Sequence, residues 1–231
     1  MNLLDNKLFK SVKSVIEREG NGFYGLIGGA GVGKSTLANK LKEKLNYEVY
    51  SSDYRFIGDS LFRKQLLYKK QNKNIDTYID AINQFNWWDW VSIERDLELL
   101  RQRKSVLIKN AYDRTKGNNY NKIVLHHENV TLLEGAILGD ITILNKLKKI
   151  IFLWGSPNYR FNNILKKDIN RRSFNEICAR YLITEYSENL YYSKLFTLVK
   201  DKLVFFNVEI GDPINEPLLE DNLYIPLKCS S

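Results

Sequence analysis

The sequence has little cysteine and no long apolar run. Its two cysteines, Cys178 and Cys229, stand far apart, one inside a helical pattern and one near the C-terminus. They share no metal-ligand spacing, and a reducing, cytoplasmic setting is the simplest reading. The first residues, Met1-Asn2-Leu3-Leu4-Asp5-Asn6-Lys7, lack the apolar stretch of a signal peptide. No later segment approaches the roughly 20 apolar residues that span a bilayer, so a soluble protein without a membrane partner is expected. Internal repeats, low-complexity tracts and linkers are also missing, and 231 residues suit one α/β domain over 1–231. His126-His127-Glu128 comes nearest to a metal cluster, but its spacing is poor for that purpose and its setting reads as a turn.

Hydrophobic residues make up 44% and charged residues 27%, which suits a folded soluble chain and is too apolar for a disordered one. The formal net charge is +8, from basic residues scattered through amphipathic stretches. Lys166, Lys167, Arg171 and Arg172 form the densest group, and no nucleic-acid motif accompanies them. The charge therefore points to a phosphorylated small molecule as partner, with no nucleic acid expected. A homo-oligomer is compatible with this composition.

Leu4, Leu8, Val12, Val15 and Ile16 recur at helical spacing before Gly20-Asn21-Gly22, which predicts an N-terminal helix over 1–20. Residues 23–27 read as a buried strand, 35–45 as a helix and 48–51 as a second strand with Asp53 just beyond its end. The stretch 76–101 reads as mostly helical, with Trp87, Trp88 and Trp90 in its middle. Residues 106–109, 130–133, 150–154 and 203–208 read as further strands, the first two as buried ones. A basic helix is expected over 159–172, within a lid region of 159–174, and a tyrosine-rich helix over 175–190. Strands alternating with helices imply a mainly parallel sheet covered on both faces.

Gly28-Gly29-Ala30-Gly31-Val32-Gly33-Lys34-Ser35-Thr36 satisfies the P-loop (Walker A) pattern, following a predicted strand and opening a predicted helix. Glycines let several N–H groups face one point, and the helix N-terminus adds partial positive charge there. Lys34 is expected on the β- and γ-phosphates of ATP and the Ser35 hydroxyl on Mg²⁺. A P-loop alone does not separate kinases from GTPases or motors. Asn145-Lys146-Leu147-Lys148 is the nearest approach to a guanine-reading motif and lacks its aspartate.

The order of further segments resembles the uridine kinase family, in the group that also holds phosphoribulokinase and pantothenate kinase. The resemblance runs over about 23–208. It includes Ser52-Asp53-Tyr54-Arg55-Phe56, the acceptor-side segment from Asn83 to Trp90, and Asn110-Ala111-Tyr112-Asp113. A strand ending in Glu134-Gly135 and the basic segment 160–172 complete it. It implies the P-loop NTPase three-layer sandwich with a basic lid helix, and phosphoryl transfer from ATP to a hydroxyl. By that resemblance Asp53 acts as base on the acceptor and helps with the metal, and Glu134 joins Ser35 and Asp53 at Mg²⁺. Lys167 and Arg172, with Arg160 or Arg171, close over the phosphates, and Tyr54, Asp89, Tyr112 and Arg160 line the acceptor side.

The departures also fall on the acceptor side. Phe85-Asn86-Trp87 replaces the family's His-Pro-Asp, the family's histidine shortly after the Tyr-Asp pair has no counterpart in Arg114-Thr115-Lys116-Gly117-Asn118, and Asn162 and Asn163 stand where lid arginines are common. The expected acceptor is therefore a hydroxyl of a nucleoside, a sugar or a similar alcohol, with uridine itself left open. Simpler readings stay open. Asp53 suits a helix cap or turn, Glu134-Gly135 a strand end, the basic cluster a solvated helix face, and the aromatics a core. A catalytically altered ATP-binding regulator or scaffold is the alternative function.

Overall fold

The computed structural model describes residues 3–57, 84–113 and 118–217. Helix α1 (Leu3–Glu19) presents Leu8, Phe9, Val12, Val15 and Ile16 to the interior, the spacing of one helical face. It ends at Gly20, whose N–H still reaches Ile16 O at 2.9 Å and whose φ of 80° turns the chain out of the helix. Strand β1 (Gly22–Gly28) then leads through the P-loop into α2 (Lys34–Leu45), and β2 (Glu48–Ser51) runs straight into a 3-10 turn at Ser52–Arg55.

The expected helix over 76–101 is corrected. Its first part, 76–83, lies outside the described residues, as do 114–117 and Cys229. A 3-10 turn occupies Gln84–Trp87, and α3 begins only at Trp90 and runs to Arg101. The break has a local cause, because Asp89 Oδ1 accepts the Ser92 N–H at 3.0 Å and so caps α3. Strand β3 (Val106–Asp113) pairs antiparallel with β4 (Asn118–Leu125) in a separate two-stranded hairpin. The strand expected at 106–109 is thus present but outside the main sheet, and β4 had no counterpart among the expected elements. In β3, Val106 and Ile108 are buried whereas Leu107 and Lys109 are exposed, the alternation of a half-covered antiparallel strand.

The rest of the chain returns to the main sheet through β5 (Val130–Glu134), α4 (Ile141–Lys146) and β6 (Lys149–Trp154). Helices α5 (Pro157–Asp168) and α6 (Phe174–Leu198), then β7 (Leu203–Asn207) and β8 (Asp212–Ile214), complete it. The strand order is β2-β5-β1-β6-β7-β8, parallel except for the β7–β8 pair. The basic helix stops at Asp168, short of the expected 172, and α6 outruns its expected end by eight residues.

Alternate side chains divide the sheet's two faces between two cores. Leu26, Val49, Leu132, Ile151 and Phe206 pack with α1 and α2. Their neighbours Ile27, Tyr50, Leu133, Phe152 and Phe205 pack with α3, α4, α6 and the hairpin. Both faces are therefore covered, and the loops at the C-terminal ends of β1, β2 and β5 meet at one edge. Ligands of open parallel sheets bind at such an edge. Among the described residues no helix is long and apolar enough to cross a membrane.

Candidate active site

The P-loop bridges the end of β1 and the start of α2. Gly31 has a φ of 81°, and a Cβ there would lie 2.3 Å from Arg160 O, so only glycine fits. Gly33 supplies the left-handed turn before α2 with a φ of 99°, and a Cβ there would meet nothing within 4 Å. That open space lies in front of a helix N-terminus, where amide N–H groups and the helix dipole favour an anion. The buried Lys34 ammonium donates to Gly28 O at 2.6 Å and Gly29 O at 3.2 Å. Gly28, Gly29 and Val32 are buried, Ala30 is half-buried, and Ser35 and Thr36 are exposed.

Glu134, the last residue of β5, ties the loop to the next strand. Ser35 Oγ donates to its Oε1 at 3.0 Å, and Ser51 Oγ, at the end of β2, donates to its Oε2 at 3.1 Å. This all-oxygen set of a carboxylate and two hydroxyls has the donor chemistry of a hard divalent cation. Asp53 lies half-buried in the turn two residues after Ser51. The half-buried Tyr54 has its phenol pushed upward by burial, then by the charges of Glu134, Glu48 and Asp53, which marks these carboxylates as its surroundings.

The turn carrying Asp53 is held from behind. Asp96 of α3 is buried and accepts Tyr50 OH at 2.9 Å and Arg55 Nε at 2.8 Å, with Arg55 Nη2 at 2.6 Å. Burial and the Asp96 charge both push the Tyr50 phenol up. For Arg55, burial pulls downward, but the bond and charge of Asp96 outweigh it and raise the guanidinium.

Two expected acceptor residues sit in the framework around this turn. Burial pushes the Asp89 carboxyl up, but the bonds from Ser92 bring it below the usual range, as its capping position requires. Tyr112 on β3 is buried with its ring 5.2 Å from Phe56. Phe56 also meets Trp88 at 5.3 Å and Trp87 at 6.0 Å, so the aromatic segment is largely packing. His126 faces Ser105 Oγ, His127 faces Leu100 O, and Glu128 accepts from Asn46, so these three turn to separate partners.

The segment expected to form a lid begins against the P-loop, through Arg160 and Asn163. Arg160, expected on the acceptor side, sits beside Gly29 and is buried. Its two terminal nitrogens donate to the carboxylate of Glu185, also buried, and its Nε to Gly155 O at 3.0 Å. Burial pulls its guanidinium downward, but the bonds and charge of Glu185 more than reverse this and raise it. Asn163 Nδ2 donates to Gly31 O at 3.0 Å. Arg172, half-buried, binds Asp168 at 2.6 Å and approaches Glu176 at 3.7 Å, while Arg171 also holds Asp168 at 2.6 Å. Lys167 is exposed.

Sequence reasoning missed Asn163, Glu185 and Glu188, all of which bear on the loop. Glu188 Oε2 accepts the Ala30 N–H at 2.9 Å. The signal was available, since Tyr181, Glu185, Glu188 and Tyr192 lie at three- and four-residue spacing on one buried face of α6.

No protein-family model and no curated protein matches the sequence. Solved structures do match. One, described provisionally as a fructose transport system kinase from Silicibacter sp. TM1040, is 17% identical with a TM-score of 0.57 over 83% of this chain and 96% of that one. A D-glycerate 3-kinase from Cryptococcus neoformans var. grubii is 11% identical with a TM-score of 0.51 over 92% and 95%. A possible uridine kinase from Bacillus stearothermophilus is 20% identical with a TM-score of 0.47 over 74% and 95%. With its mostly parallel sheet, its helices on both faces and its glycine loop between β1 and α2, the chain has the P-loop kinase fold.

Proposed function

We propose that this chain is an ATP- and Mg²⁺-dependent kinase that transfers the γ-phosphoryl group to a hydroxyl of a small metabolite in the cytoplasm. One observation carries the proposal. Glu134 gathers the hydroxyls of Ser35 and Ser51, so a single carboxylate links the phosphate loop to the turn that bears Asp53. The names of two structural neighbours, a fructose transport system kinase and a glycerate kinase, support a small hydroxylated acceptor.

In this reading the P-loop amides and Lys34 hold the β- and γ-phosphates. Ser35 and Glu134, with Asp53 through water, would hold Mg²⁺, which supplies charge neutralisation on the phosphates. Asp53 accepts the proton of the acceptor hydroxyl as its oxygen attacks the γ-phosphorus and ADP leaves. Tyr54 contacts the acceptor beside it. Asp89, Tyr112 and Arg160 act by positioning, because the first caps α3, the second is packed among aromatics and the third is bound to Glu185. Arg172 and Lys167 close over the phosphates and exclude water, Arg172 exchanging Asp168 for a phosphate oxygen.

A panel of sugars, sugar acids and nucleosides, with ATP and Mg²⁺, will show acceptor-dependent ADP release. Asp53→Asn will lose roughly 10²–10⁴-fold in kcat while retaining ATP binding. Full activity in that variant refutes the base assignment. ATP binding without turnover across the panel points instead to the regulatory alternative.

A further inference from the structure

The carboxylate of Glu188 has no part in the reaction above, yet it stands where a phosphate-binding loop least suits a negative charge. It projects from α6, is 1% exposed, and accepts the Ala30 N–H of the P-loop through Oε2 at 2.9 Å. Its other oxygen, Oε1, is buried and has no hydrogen-bond partner among the described residues. An unpaired buried carboxylate oxygen is costly when charged and accommodates a proton readily.

The groups facing Glu188 come from three elements. Lys34 faces it from α2 and Arg160 from α5, while Glu185, Tyr181 and Tyr192 share its own helix. Two carboxylates against two cations make a balanced set only while no phosphate is present. Arg160 is already bound to Glu185 through both terminal nitrogens. Lys34 is the cation that a phosphate engages, so a bound nucleotide adds negative charge beside Glu188 and claims the positive charge that balanced it. Even without nucleotide, burial raises the Glu188 carboxyl to about 7, with Glu185 adding to the rise and Lys34, the Ala30 amide and Arg160 opposing it.

We propose that Glu188 is a proton-linked positioning residue of the nucleotide site. When phosphate occupies the P-loop, a proton from solvent adds to Oε1 while Oε2 keeps the Ala30 N–H, so nucleotide binding is accompanied by proton uptake. The inference rests on the reading of the P-loop as a nucleotide site. It predicts that affinity falls as pH rises above neutrality, where the proton must be supplied at increasing cost.

The test is calorimetric titration of the full chain with Mg-ADP at pH 8 in buffers of different ionisation enthalpy, which reads protons taken up per nucleotide bound. The wild type will take up a substantial fraction of one proton, and its affinity will fall by up to about tenfold across one pH unit above neutrality. Glu188→Gln keeps an acceptor for Ala30 without the charge. It will show no such uptake, a flat affinity from pH 7 to 9, and tighter binding than the wild type at pH 9. Glu188→Leu removes the acceptor and will bind more weakly at every pH. Equal proton uptake in the wild type and Glu188→Gln overturns the inference and leaves the nucleotide reading intact. A pH-independent wild-type affinity does the same even if the variants fail to fold. Failure of every variant and of the wild type to bind Mg-ADP overturns both.

Discussion

Removal of the Glu185 carboxylate will reveal how much the P-loop depends on the helices behind it. Arg160 and Glu185 are only 6% and 5% exposed, and the pair is bidentate, with Arg160 Nε also bound to Gly155 O at 3.0 Å. In Glu185→Leu the guanidinium keeps its charge, because arginine does not deprotonate in proteins, and it retains a single carbonyl as fixed partner. An uncompensated buried charge costs about 3–5 kcal/mol, which for a chain of this length lowers Tm by on the order of 10 °C. Arg160→Met combined with Glu185→Leu removes both charges and will recover most of that loss, since the desolvation penalty disappears with them. Urea or thermal unfolding of the three proteins, followed by circular dichroism, measures the difference. A loss under about 1 kcal/mol in the single variant refutes the reasoning, for it would mean that Arg160 reaches water on its own. The same variants, titrated with ATP, will bind more weakly, because Arg160 packs directly on Gly29 and Gly31.

Two further outcomes follow from the same contacts. Gly31→Ala forces a Cβ to within 2.3 Å of the Arg160 carbonyl at a φ of 81°. It will lose nucleotide binding by at least tenfold with a smaller loss of stability, measured by ATP titration beside thermal unfolding. Glu188 also gives stability a pH dependence of defined sign, since its carboxyl rises from 4.5 to about 7 on folding. Below about 4.5 the group is protonated in both states and costs nothing. Between there and about 7 the unfolded chain releases a proton that the folded one retains, so stability falls as pH rises, by about 3 kcal/mol in all. Unfolding free energies of Glu188→Gln, subtracted from those of the wild type across pH 4 to 8, will isolate that slope, and a flat difference would contradict the buried environment.

Much of the fold was legible because its determinants are local. The glycine spacing of the P-loop, the helical spacing from Leu8 to Ile16 and the apolar runs of β1, β2, β5 and β6 each act within a few residues, and these elements stand where the sequence placed them. Two segments depart from the expected arrangement, one through a cap and one through strand pairing. The run up to Arg101 has helical periodicity, yet Asp89 caps a new helix that begins at Trp90 and leaves Trp87 and Trp88 outside it. Val106-Leu107-Ile108 looks like a strand of the main sheet, but its partner is the strand through Leu125, and pairing is decided by contact between strands.

The site divides in the same way. Sequence by itself determined the glycine loop between β1 and α2, with Lys34 and Ser35, because that loop is a backbone conformation encoded by its own glycines. Tertiary structure alone decided that Glu134 joins Ser35 to Ser51, that Arg160 packs beside Gly29 and holds Glu185, and that Glu188 reaches Ala30 across 158 residues of chain. The physical reason is that a carboxylate's effect depends on its solvent and its neighbours. Both are fixed only when α6 packs its buried acidic face against the loop.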